Sequence, residues 1–87
     1  MRIIFSHKFV KRFSKVPARI REQFDERLFL FQQDIHHPLL HDHALTAEWV
    51  GHRSINVTGD YRAVYREVLD NTFEFIAIGT HHELFRK

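Results

Sequence analysis

The chain has 87 residues, 44% of them hydrophobic and nine of them phenylalanine, enough for one packed core and too few for two, so a single domain over residues 1–87 is expected. It has no cysteine, which excludes a disulfide scaffold and a thiolate metal site, and its apolar runs are too short for a signal peptide or a membrane span; a cytoplasmic protein with no membrane contact is expected. The net charge is only +2, yet seven basic side chains precede the first acid, Glu22. A polyanion (RNA, DNA or an acidic protein) fits such an end, and so does a helix pair that simply solvates its outer face.

Arg2 to Phe5 is a short β-prone run, after which Ser6 can cap a helix that turns Phe9, Val10 and Phe13 inward. The pattern predicts this first helix over residues 7–15. Pro17 suits the first turn of a second helix, in which Ile20, Phe24, Leu28, Phe31 and Ile35 recur at spacings of four, four, three and four. Pro38 closes that region, and residues 36–46 read as an irregular, histidine-laden loop. From Trp49 the period changes to two, which predicts strands over residues 53–57, 61–69 and 72–78. The breaks fall at Thr58-Gly59-Asp60 and Asp70-Asn71, Gly79 ends the last strand, and residues 80–87 leave room for one helical turn. The order β-α-α-β-β-β predicts an α+β fold, with two N-terminal helices packed on one face of a small antiparallel sheet and the other face left for function.

The second half carries four segments in a fixed order: Asp42-His43-Ala44-Leu45, Trp49-Val50-Gly51-His52-Arg53, Gly59-Asp60-Tyr61-Arg62-Ala63-Val64-Tyr65, and Gly79-Thr80-His81 through Leu84-Phe85. Their order and spacing resemble the YafQ-type toxins, a branch of the RelE/ParE superfamily. The resemblance covers about half the chain as motifs; the N-terminal helices match in order, charge and hydrophobic pattern. It implies a RelE-like fold and the toxin of a type II toxin-antitoxin pair. It further implies a metal-independent endoribonuclease with no cofactor, which cleaves messenger RNA in the ribosomal A site. Its implied partners are messenger RNA, the ribosome with its RNA, and a cognate antitoxin encoded in the same operon, which holds the toxin in a hetero-oligomer.

Residue by residue, the functional positions of that family fall on His43, Asp60, His81 and Phe85, and Arg62 corresponds to an arginine used in the RelE branch. There is one departure. Where YafQ-type toxins carry another catalytic histidine in the strand after the pattern's arginine, this chain has Asn56. An amide can orient a phosphate or a base by hydrogen bonding but cannot exchange a proton at neutral pH.

Cutting RNA without a metal needs a base for the ribose 2′-OH, an acid for the 5′-oxygen and a cation for the phosphorane charge. Histidine can fill either proton-transfer role, which makes His43 and His81 the expected pair. Asp60 can orient an imidazole or itself accept a proton. Arg62 offers a planar fork for phosphate, and Phe85 a flat face for an unpaired base. Lys8, Lys11, Arg12, Lys15, Arg53 and Asn56 are the expected RNA and phosphate contacts. The eight histidines also invite a metal reading, but with no helical His-x-x-x-His they support at most an adventitious loop site. Two other classes fit the same family: a ParE-like inhibitor of DNA gyrase that is no nuclease, and a catalytically degenerate binding protein. Trp49 reads more readily as a core anchor than as a base-stacking platform, Tyr61 and Tyr65 share one strand face and fit the core too, and Phe85 reads nearly as well as simple packing for the C-terminus.

Overall fold

The computed structural model describes residues 1–86, so the end of the expected tail, Lys87, lies outside the described residues. The chain opens with β1 (Arg2–Phe5) and enters α1 (His7–Phe13) through Ser6, whose Oγ accepts the backbone N–H of Phe9 at 3.0 Å. This is the predicted cap. α1 ends two residues early because Pro17 cannot continue it; the chain leaves through a turn in which Lys15 N–H donates to the Arg12 carbonyl at 2.9 Å. Phe9 and Phe13 stack inward with ring centroids 5.6 Å apart. Val10, expected beside them, is 56% exposed, since so short a helix presents only its i, i+4 pair to the core.

α2 (Ala18–Gln33) starts after Pro17, which stands at the N-cap in extended geometry rather than inside the first turn. It buries Ile20, Phe24 and Phe31, while Ile35 lies past its end and still packs against the core. The expected loop at residues 36–46 contains a short 3-10 turn, Pro38–Leu40, and a two-residue strand, β2 (His43–Ala44). Pairing of His43 with Ser54 and Ala44 with Arg53 makes that strand; nothing local announces it.

A second 3-10 turn, Ala47–Trp49, leads to β3 (Arg53–Asn56), β4 (Tyr61–Leu69), β5 (Thr72–Thr80) and α3 (His81–Phe85). The sheet order is β1-β5-β4-β3-β2. β5 runs through Gly79 to Thr80, past its expected end, because Arg62 pairs with Gly79 and Tyr61 with Thr80. The expected antiparallel sheet is in fact mixed: β1 lies parallel to β5, because the two helices carry the chain away before any hairpin can form with β1. The α+β class stands.

Register slips by one residue where Val64 pairs with Ala77 but Tyr65 with Phe75. That bulge skips Ile76 and lets Phe73, Phe75 and Ile78 all face the same core. The core is a cluster of rings, with centroids 5.4 Å apart for Phe9 and Phe24, 5.5 Å for Phe24 and Phe75, and 4.9 Å for Phe31 and Tyr65. Among the described residues no helix is long and apolar enough to cross a membrane.

Candidate active site

The register assigns side chains to the sheet face opposite the helices, because directly paired residues share a face. One row is His43, Ser54, Val64 and Ala77; the next is Asn56, Arg62 and Gly79. Val64 is fully buried yet lies outside the helix-side core cluster, as expected for the opposite face. α3 covers this face where Gly79 allows it. A Cβ at Gly79 would meet Glu83 Oε1 at 3.0 Å and Leu84 Cδ2 at 3.5 Å.

A five-residue helix does not hold itself, and four tethers seat α3. Thr80 and Glu83 form a capping box, with Thr80 N–H donating to Glu83 Oε1 at 2.8 Å and Glu83 N–H to Thr80 Oγ1 at 3.1 Å. Arg12 of α1 pairs with Glu83 Oε2 at 3.0 Å. The Thr80 amide first, and then the Arg12 charge, hold the Glu83 carboxyl below its ordinary value of 4.5. Trp49 Nε1–H donates to the Leu84 carbonyl at 3.1 Å, and His81 N–H to the Asp60 carbonyl at 2.9 Å.

A cavity of about 460 Å³ opens between α3, the loop around β2 and this sheet face. His43, Asn56, Arg62, His81 and Phe85 all line it. The Phe85 ring lies edge-on to the His81 imidazole, centroids 5.1 Å apart. Arg62 Nη1 donates to the carbonyls of Gly59 at 2.9 Å and Thr58 at 3.2 Å; it joins no ion pair among the described residues. Its guanidinium is therefore held in place by carbonyls, with no carboxylate partner in an ion pair among the described residues. Asn56 Oδ1 is buried without a hydrogen-bond partner among the described residues. The His43 ring is fixed by contact between Nδ1 and the His41 carbonyl at 2.9 Å. A carbonyl can only accept, so Nδ1 carries the proton and Nε2 keeps the lone pair in the neutral ring.

His43 itself is anchored through its neighbour. The Asp42 side chain is 4% exposed and takes Arg53 Nε at 2.7 Å and the Tyr65 hydroxyl. Burial, and then the bond to Asp42, keep the Tyr65 phenol protonated well above its ordinary range, and the Asp42 bond raises the Arg53 guanidinium likewise. Arg53, expected on phosphate, is thus taken up by Asp42 and lines neither this cavity nor the groove beside it. Asp60 also departs from expectation: its carboxylate is not on the cavity wall, and it meets His81 through its backbone carbonyl.

Lys8, Lys11, Arg12 and Lys15 come together elsewhere, along a groove of about 740 Å³ between α1, the open sheet face and α3. Trp49 lines both spaces. Glu83 joins the site unannounced by the family motifs, although Thr80-x-x-Glu83 is a legible capping signature. Asp42 anchors the site from a position for which the sequence carries no local signal. Among the described residues no group of three or more His, Asp or Glu side chains is placed to hold a metal ion.

Two N-terminal helices on one sheet face, with His41, His43, His81 and the Arg62 guanidinium around a cavity on the other, define a small α+β protein with one candidate site. Residues 2–86 match the family model described as bacterial toxin of type II toxin-antitoxin system, YafQ, and the chain belongs to that family. The crystal structure of YafQ from E. coli is similar with a TM-score of 0.80 at 24% identity, covering 98% of this chain and 99% of that one. A YoeB/ParE toxin from Agrobacterium tumefaciens gives 0.76 at 19%, covering 93% and 99%. The toxin-antitoxin complex RelBE2 from Mycobacterium tuberculosis gives 0.73 at 23%, covering 92% and 96%. At these identities the solved structures speak for the fold alone. No curated protein sequence matches the chain.

Proposed function

We propose that this toxin is a metal-independent endoribonuclease that cuts messenger RNA in the ribosomal A site. The observation that carries the reading is that His43, His81 and Arg62 line one cavity. His43 is the base: its Nδ1–H is committed to the His41 carbonyl, so Nε2 takes the proton from the ribose 2′-OH. The 2′-oxygen attacks phosphorus, the bond to the 5′-oxygen breaks, and His81 gives that oxygen its proton. Arg62 and the Asn56 amide face the phosphorane charge. Phe85 supports the unpaired base beside His81. Asp60 acts as a positioning residue, fixing where α3 begins. The products are a 2′,3′-cyclic phosphate and a 5′-hydroxyl, so DNA resists. Lys8, Lys11, Arg12 and Lys15 attract RNA phosphates, including those of the ribosome.

A cognate antitoxin, encoded in the same operon, holds the toxin inactive in a cytoplasmic hetero-oligomer. The E. coli DinJ-YafQ toxin-antitoxin complex, whose toxin chain is similar at 24% identity, supports that partner. An acidic open reading frame beside the gene is the simplest check.

Primer extension on messenger RNA after induction tests the activity. Codon-linked cuts are expected, and His81→Ala should lose at least about 10²-fold in cutting while keeping its fold. Full toxicity in a folded His81→Ala protein would refute the assignment. A DNA-damage response without cuts would instead identify gyrase poisoning, the alternative for which the Asn56 substitution leaves room.

A further inference from the structure

We propose that the groove beside α1 is a second RNA subsite, which receives the single strand as it leaves the reaction cavity past Trp49. The inference rests on the nuclease reading and adds a length requirement to it. The groove has a basic wall and an apolar floor, the latter including Ile76 and Leu84. Two of its five cations are already committed, Arg12 to Glu83 at 3.0 Å and Arg66 to Glu74 at 3.3 Å. Lys8, Lys11 and Lys15 join no ion pair among the described residues. They follow one another along α1 and the turn that continues it, and form a line of uncompensated charge. The occupant that this wall and floor fit is a polyanion carrying flat apolar groups.

Continuity favours RNA over an acidic peptide. Trp49 is a wall of both spaces, and α3 holds its ring. Its N–H is tied to the Leu84 carbonyl at 3.1 Å, and its plane stands at 76° to the Phe85 ring, centroids 6.3 Å apart. A strand whose scissile phosphate sits between His43 and His81 must pass this indole to reach the lysines. Stacking a base on it costs no sequence preference, because every base has a π-face. The three lysines then neutralise phosphates outside the cavity.

Trp49 is the sole tryptophan, so its fluorescence reports the passage directly. The probes are 2′-O-methyl oligoribonucleotides, which cannot be cut, in trinucleotide and nonanucleotide lengths. The nonanucleotide is expected to quench Trp49 and to bind at least about tenfold more tightly than the trinucleotide. Replacing Lys8, Lys11 and Lys15 together by Gln should bring it down to the trinucleotide's affinity. The slope of log affinity against log salt should flatten by about 2, three contacts at about 0.7 each. Equal affinity for the two lengths, or an unchanged slope in the triple variant, would overturn the proposal. So would an acidic amphipathic peptide that binds the groove while the nonanucleotide does not. Primer extension on translated messenger RNA separates this inference from the one beneath it. Codon-linked cuts together with equal affinity for the two oligomer lengths sink the groove and leave the nuclease. Length-dependent binding with no cut in translated message sinks the nuclease and leaves the groove.

Discussion

Tyr65 shows how one buried hydroxyl can serve a site it does not enter. Its ring packs in the core against Phe31, and its hydroxyl donates to Asp42, the residue next to His43. Tyr65→Phe keeps the ring and leaves a nearly buried carboxylate short of a donor, a loss of about 1–3 kcal/mol. Denaturant melts should show it at neutral pH. The phenol pKa is raised above its unfolded value of 10.0, so the stabilisation is complete below that pH. It fades as the pH rises beyond, where the unfolded phenol ionises and the folded one does not. Melts of the native chain should therefore fall away above pH 10.0, and those of Tyr65→Phe should fall less. An equal decline in both would place the cause elsewhere. Arg53 teaches the converse: the family's pattern suggests a phosphate ligand, and the structure pairs this guanidinium with a nearly buried aspartate eleven positions away. Charge in a sequence does not say which partner will claim it.

At the scale of elements, α3 depends on its tethers, and each can be cut singly. Gly79→Ala brings a methyl to 3.0 Å from Glu83 Oε1, so the carboxylate must give by a few tenths of an ångström, which loosens the capping box that seats α3 and with it the placement of His81 and Phe85. Activity should drop by about tenfold or more, as small misplacements of reacting groups do, while the melting curve shifts little. A variant that melts early and keeps its activity would contradict this. Glu83 adds a pH dependence of opposite sign to that of Tyr65. Its folded pKa lies below 4.5, so its hold on α3 is complete above that value and is lost as the pH falls through the lowered one. Because that carboxylate is half exposed, solvent screens the effect, and it should appear as an acid-side change in His81 NMR shifts rather than as global unfolding. The helices and long strands were legible because they repeat: α2 by its spacing of four, four and three, β4 by its alternation. β2 and the parallel docking of β1 were not, since each exists only through a partner remote in sequence.

Over the whole molecule, one mixed sheet separates two tasks. The helix side is filled with phenylalanine, and its loss should be costly: Phe24→Ala, at the centre of four ring contacts, is expected to destabilise by about 3–5 kcal/mol in denaturant melts. A change below 1 kcal/mol would mean the core repacks. The open side keeps its polar groups unspent, including Asn56 Oδ1 and the Arg62 charge. Motif order named its candidate residues, while the path that brings His43 and His81 to the wall of one cavity runs through the pairing of β2, β3, β4 and β5, which no local signal carries.

The parallel union of Arg2 with Thr72 sets a timetable for biosynthesis. The opening strand must wait, without its neighbour, until most of the polypeptide has left the ribosome that makes it, and His81 emerges later still. Protease probing of stalled nascent chains should find every intermediate short of Thr72 readily digested, with protection gained only once that residue has emerged and β1 has its neighbour.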